Sequence, residues 1–137
     1  MNDPQLPLQA AMLAAAKAAP AVVALLGTGS AIRFYDRTPD SPAYPMATFG
    51  PMQTIPDYDS CGTVYEIAAQ VDCWSMAVGF PEVKRLTAAM VAALDQKLTV
   101  TGWVVDRHRC TVRTQREADG LTSRSIISLR YWLRSAA

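Results

Sequence analysis

From Thr63 to Ser75 the chain alternates strictly, with Tyr65, Ile67, Ala69, Val71 and Cys73 on one side and Val64, Glu66, Ala68, Gln70 and Asp72 on the other. A two-residue period of this kind predicts a half-buried strand whose first side faces the core. Trp74 falls on the polar side, as a rim residue or a contact for a partner. After Gly79 the period changes. Pro81 suits a first helical position and Glu82 puts negative charge near the positive end of the helix dipole. Val83, Leu86, Met90 and Leu94 then recur at helical steps, with alanines between them. The spacing predicts a helix from about Pro81 to Gln96, roughly 24 Å long at about 1.5 Å per residue, packed on the sheet.

The rest of the chain organises around this pair. Leu6 to Ala19 is alanine-rich with Leu8, Met12 and Leu13 as its larger apolar groups, and predicts a first helix ended by Pro20. Ala21 to Leu26 is a short turn, apolar almost all round. Ala31 to Tyr35 predicts a short strand, and the prolines between Asp36 and Tyr44 a loop. Met46 to Thr54 predicts a second strand, interrupted at Gly50-Pro51 by a bulge or an edge position. Ile55 to Gly62 reads as a polar loop carrying Asp57, Tyr58 and Asp59.

Leu98 to Thr114 predicts a long strand with Val104, His108, Cys110 and Val112 on one face and Trp103, Val105, Arg107, Arg109 and Arg113 on the other. Glu117, Ala118, Asp119 and Gly120 form a turn, Asp-Gly being a strong hairpin signal. Thr122 to Leu133 returns as the last strand, with Ile127, Leu129, Tyr131 and Leu133 opposed to Ile126, Ser128, Arg130 and Trp132. The order predicts an α+β fold: a mostly antiparallel sheet of four to five strands, with an N-terminal helix and one long helix packed on one face. Residues 1–137 are expected to form a single domain.

Composition narrows the function classes. At 137 residues and 14.9 kDa the chain is long enough to bury about two-thirds of its unfolded surface. Lys+Arg 13 against Asp+Glu 12 gives no overall pull toward nucleic acid or membrane. The charge is uneven, though. Beyond Trp103 stand seven arginines against Asp106, Glu117 and Asp119, a solvated face or one that meets an acidic partner.

Three cysteines, Cys61, Cys73 and Cys110, show no Cys-x-x-Cys spacing, so neither a disulfide scaffold nor a structural zinc site is indicated; Cys73 and Cys110 read as buried, reduced thiols. The N-terminal segment is too short to span a bilayer, and the chain is expected to be soluble and unprocessed. Asp57 and Asp59 lack the further oxygen ligands of a calcium loop. Gly27-Thr28-Gly29-Ser30 precedes a strand rather than following one, unlike a phosphate loop. His108 and Cys110 share a strand face, the one pairing that suggests nucleophilic chemistry, without a nucleophile-elbow motif. No cofactor, metal or enzymatic activity is indicated.

Several stretches carry a resemblance that covers nearly the whole chain: Ala21-Val-Val-Ala-Leu-Leu-Gly27 after the Ala-rich opening, Ile32-Arg-Phe-Tyr-Asp-Arg-Thr-Pro39, Tyr44-Pro-Met-Ala-Thr-Phe-Gly50, the strand ending at Cys73-Trp-Ser75, the helix Glu82 to Asp95, and the closing hairpin. Together they resemble the tail terminator, or tail-completion, family of long-tailed phages, prophages and gene transfer agents. The Gly-Phe-Pro before the helix departs from the small polar residues expected there. The resemblance implies a non-catalytic virion protein that forms a hexameric ring on the head-proximal end of the tail tube. It would end tube polymerisation and join the tail to the head connector, assembling in the host cytoplasm, with DNA passing through the lumen without specific binding.

On that reading Trp74, Trp103, Arg107, Arg109, Arg130 and Trp132 are expected at the subunit interface. Asp57, Tyr58, Asp59, Glu117 and Asp119 are expected on loops toward the lumen or neighbouring rings. Two other readings stand beside it: another neck component, such as a head-side stopper or minor tail protein, and a small enzyme using Cys110 and His108.

Overall fold

A computed structural model describes residues 3–59 and 62–136. Its elements are α1 (Gln5–Ala18), α2 (Pro20–Leu26), a 3-10 turn (Gly29–Ala31), β1 (Phe34–Tyr35), β2 (Met46–Asp59), β3 (Gly62–Ser75), α3 (Pro81–Leu94), β4 (Trp103–Arg116) and β5 (Ser123–Ser135). The strands form one sheet in the order β1-β2-β3-β5-β4, in which β1 and β2 run parallel and every other neighbouring pair antiparallel. The α+β class, the N-terminal helix and the long helix are as the periodicity predicts.

The alternating side of β3 is the core. Ile67, Val71 and Cys73 are fully buried there, as are Ile127, Tyr131 and Leu133 of β5. Above them lies α3, whose Val83, Leu86, Met90 and Leu94 have no exposed surface. From α1, Leu8, Met12 and Ala16 come down at four-residue steps, so one stripe of that helix enters the same core. Arg33 fixes the end of α2 by donating from Nη2 to the Leu25 carbonyl at 2.7 Å and from Nε to the Pro45 carbonyl at 2.8 Å. A cation there satisfies carbonyls that the helix leaves free.

Phe80, at the position preceding α3, makes no side-chain cap. The Ser75 hydroxyl donates to Glu82 Oε1 at 2.8 Å and accepts from the Ala77 amide at 3.1 Å, tying the end of β3 to the first helical turn. Phe80 is instead enclosed by cations, with the Arg116 guanidinium 4.8 Å and the Lys84 ammonium 5.6 Å from the ring centre.

Several element ends move by a residue or two from the sequence reading, and four differences bear on the site. Residues 55–59 belong to β2, so Asp57 and Tyr58 sit on a strand rather than in a loop; Ser60 and Cys61 lie outside the described residues. β1 shrinks to two residues, because Ala31 belongs to the 3-10 turn, Ile32 closes it and the Arg33 amide donates to the Leu26 carbonyl. The long helix stops at Leu94, where Asp95 leaves helical geometry. β4 starts at Trp103 rather than Leu98, after a turn in which Gly102 adopts a φ of 82° and the Trp103 amide donates to the Val100 carbonyl at 3.1 Å.

Candidate functional site

The helices cover one face of the sheet and leave the other open. On the open face β5 presents Arg124, Ile126, Ser128, Arg130, Trp132 and Arg134, and β4 adds Arg107, Arg109 and Arg113. β3 contributes Glu66, Ala68, Gln70, Asp72 and Trp74. Six of the seven C-terminal arginines are therefore gathered on one surface, as their strand spacing requires, while Arg116 lies apart over Phe80.

Two arginine–tryptophan stacks mark the ends of this surface. The Arg107 guanidinium lies 4.5 Å from the centre of the Trp132 ring, and that of Arg124 lies 4.7 Å from Trp74. Trp74 Nε1 donates to Thr48 Oγ1 at 3.0 Å, so this tryptophan is held in place. Arg124 also donates to Asp72 Oδ2 at 3.2 Å. Asp72 is a buried carboxylate on the open face, and Gln70 Nε2 donates to both of its oxygens. A Cβ on Gly50 would come within 3.0 Å of the Gln70 Cβ, so glycine at this bulge leaves Gln70 its place.

Further along, Arg130 donates to Glu66 Oε1 at 2.6 Å and Arg134 to Asp106 Oδ1 at 3.0 Å. Between the two ends the face dips into a trough of about 630 Å³, whose floor includes the small side chains Ala68 and Ser128 and whose walls include Gln53, Gln70, Arg109 and Arg130.

The expected interface residues are thus largely brought together, with one correction. Trp74, Arg107, Arg109, Arg130 and Trp132 share the open face, but Trp103 does not. It is 8% exposed on the helix side, edge-on to Tyr65 with ring centres 5.2 Å apart. The cause is a register shift between Val105 and Arg107. Asp106 is an extra residue there, so Trp103 and Val105 point inward while Arg107 and Arg109 point outward. Strict alternation puts all four on one face.

The expected loop residues divide as well. Asp57 and Tyr58 are exposed, Tyr58 by 71%; the side chain of Asp59 lies outside the described residues. Glu117 Oε1 accepts from Gln115 and lies 3.8 Å from Arg124. Asp119 is occupied by its own turn, accepting from the Leu121 and Thr122 amides at 2.8 Å and from the Thr122 hydroxyl at 2.7 Å. These bonds hold its carboxyl below the usual aspartate range. At the same end of the sheet the loop after β3 exposes Met76 and, by 99%, Val78, an apolar tip of the kind that interfaces cover.

His108 and Cys110 do share a face, and the structure adds a residue the sequence does not point to. Asp95, just past the end of α3, lies 2.7 Å from His108 Nδ1 through Oδ1. Burial pushes the Cys110 thiol up, and the Asp95 carboxylate, which accepts its hydrogen bond, pushes it further. Catalytic cysteines need the opposite shift, toward thiolate. Nearby, burial and Asp95 also raise the Tyr131 phenol, which donates to the Leu94 carbonyl. The cluster ties the end of α3 to β4 and β5. Cys73, buried beneath α3, is pushed up to about 12 by desolvation. Among the described residues no group of three or more His, Cys, Asp or Glu side chains is placed to hold a metal ion, and no single helix is long and apolar enough to cross a membrane.

The same fold occurs in a solved structure titled "Virion of native gene transfer agent (GTA) particle". One of its chains matches with a TM-score of 0.84 at 21% identity, over 97% of this chain and 98% of that one. No curated protein matches the sequence. A family model described as tail completion protein gp17 matches residues 10–134, from within α1 nearly to the end of β5, and on that match the chain belongs to the tail completion protein gp17 family of virion tail structural proteins.

Proposed function

We propose that this protein is a tail terminator: copies close into a ring, a hexamer, on the head-proximal end of the tail tube. The ring ends tube polymerisation and offers its other side to the head-tail connector, with DNA passing through the lumen without specific binding. It takes its place at the neck after folding in the host cytoplasm. The observation that carries this reading is the open sheet face, where half-buried tryptophans stacked by arginines lie among a surplus of arginine. Interfaces are enriched in these side chains. The family membership and the near-complete overlap with a chain of a gene transfer agent particle support it.

A ring of fixed size needs a head-to-tail contact that closes at a fixed rotation. The sheet has two distinct flanks to supply one: β4 at one edge, and β2, which β1 covers only opposite Ala47 and Thr48, at the other. The Gly50-Pro51 bulge shifts the register of β2, Pro56 lacks an amide hydrogen for a further strand, and arginines stud β4, devices that discourage indefinite strand addition. Side-chain contacts then have to set the geometry. The test is assembly with the cognate tail-tube protein: the protein should bind tube ends and not tube walls. Binding to the head-side connector without binding to tube ends would instead make it a stopper.

A further inference from the structure

Arg109 stands directly across the ladder from Arg130. Facing side chains at such positions have Cβ atoms about 5 Å apart, where like charges repel. Glu66 neutralises Arg130, but among the described residues no carboxylate meets Arg109, nor Arg113 four residues along the same strand. The unrelieved charge of Arg109 borders the trough, and that of Arg113 lies just beyond it on the same strand. The trough floor of Ala68 and Ser128 admits something slim, and the Gln53 amide offers hydrogen bonds opposite the arginines. This chemistry fits an extended, acidic polypeptide segment.

The chain carries such a segment. Between Ile55 and Val64 there are two aspartates, Asp57 and Asp59, and no lysine or arginine. Asp57 and Tyr58 are exposed at the far end of the β2–β3 hairpin. The hairpin cannot fold back into its own trough, because Asp57 pairs with Val64 on the same straight ladder that pairs Gln53 with Ala68 at the trough.

We propose that the acidic hairpin end of one copy, residues 57–59, lies in the arginine-bordered trough of the next. The contact is head-to-tail, and it rests on the ring reading in that it supplies the interface the ring needs. A nucleic-acid backbone suits the face less well, since Glu66, Asp72 and Asp106 lie on the same surface and oppose a continuous polyanion.

Charge reversal of the full-length protein tests this, read by native mass spectrometry over a concentration series at low ionic strength, where such contacts are strongest. Arg109→Glu with Arg113→Glu, and separately Asp57→Arg with Asp59→Arg, should each lower the oligomer fraction by about tenfold or more. An equimolar mixture of the two variants, or all four changes in one chain, should restore it, and circular dichroism should show all variants folded. Wild-type protein that stays monomeric at every concentration, oligomers indifferent to both reversals, or reversals that fail to rescue each other would overturn the proposal. So would duplex DNA retained by the wild type and released by the arginine variant. Reversed variants that still cap tubes would remove this contact and leave the terminator reading standing.

Discussion

Arg107 faces Trp132 across the β4–β5 ladder with its guanidinium 4.5 Å from the ring centre, while Val105, two residues earlier, faces Leu133 on the opposite side of the sheet. Two residues normally return a strand to the same face. Here Asp106 is inserted between two intact stretches of alternation, and it decides which tryptophan is buried and which arginines are exposed.

Deleting Asp106 should therefore be tolerated. The shortened strand keeps Trp103 and Val105 inward and Arg107 and Arg109 outward, losing mainly the exposed Arg134 pair, which contributes about 1 kcal/mol or less. Deleting Thr111 instead forces half of β4 to present its wrong face. Thermal melts should show the first variant within a few degrees of wild type and the second unfolded or nearly so. Equal losses would contradict the bulge.

The two tryptophans should part in the same way. Trp103→Ala empties a buried site against Tyr65 and should cost about 3–5 kcal/mol in urea unfolding. Trp132→Ala loses chiefly a stack with Arg107, about 1 kcal/mol. A Trp103 variant as stable as wild type would mean that this ring is not in the core.

What the sequence makes legible follows from how local each cause is. Periodicity marks β3 and α3 because one face of each is nearly continuous apolar surface, and Asp119-Gly120 marks its hairpin because the turn chemistry lies within four residues. β2 beyond Thr54 is not legible: Pro56 and its acidic neighbours read as loop, yet a strand with no partner on one side tolerates proline. The bulge at Asp106 leaves no local signal. Neither does Asp95 beside His108, since the contact is made only when α3 packs across β4. The arginine surplus is visible as composition, but the facing of Arg109 and Arg130 depends on strand order.

Asp119 sets a pH dependence. Its carboxyl titrates lower in the fold than in the unfolded chain, so its contribution is fully present above the unfolded value, near 3.8, and is lost as pH falls through the lower folded value. Asp119→Asn should be less stable than wild type at neutral pH by a few degrees, with the difference closing in acid. A difference that widens in acid would contradict the assignment.

Cys110 should be a sluggish thiol. In a Cys61→Ser background, with Cys73 buried under α3, alkylation at neutral pH should run several-fold slower than for a free cysteine peptide, because less thiolate is present. Asp95→Asn should speed it by removing the carboxylate that raises the thiol. Faster alkylation of the wild type than of the peptide would revive a nucleophilic role.

The terminator reading is tested most directly by polymerising the cognate tail-tube protein with and without this one and measuring tube lengths by negative-stain microscopy. Shorter tubes carrying a ring at one end are the predicted result. Tubes of unchanged length with bare ends, at concentrations where the protein is folded and in excess, would contradict it.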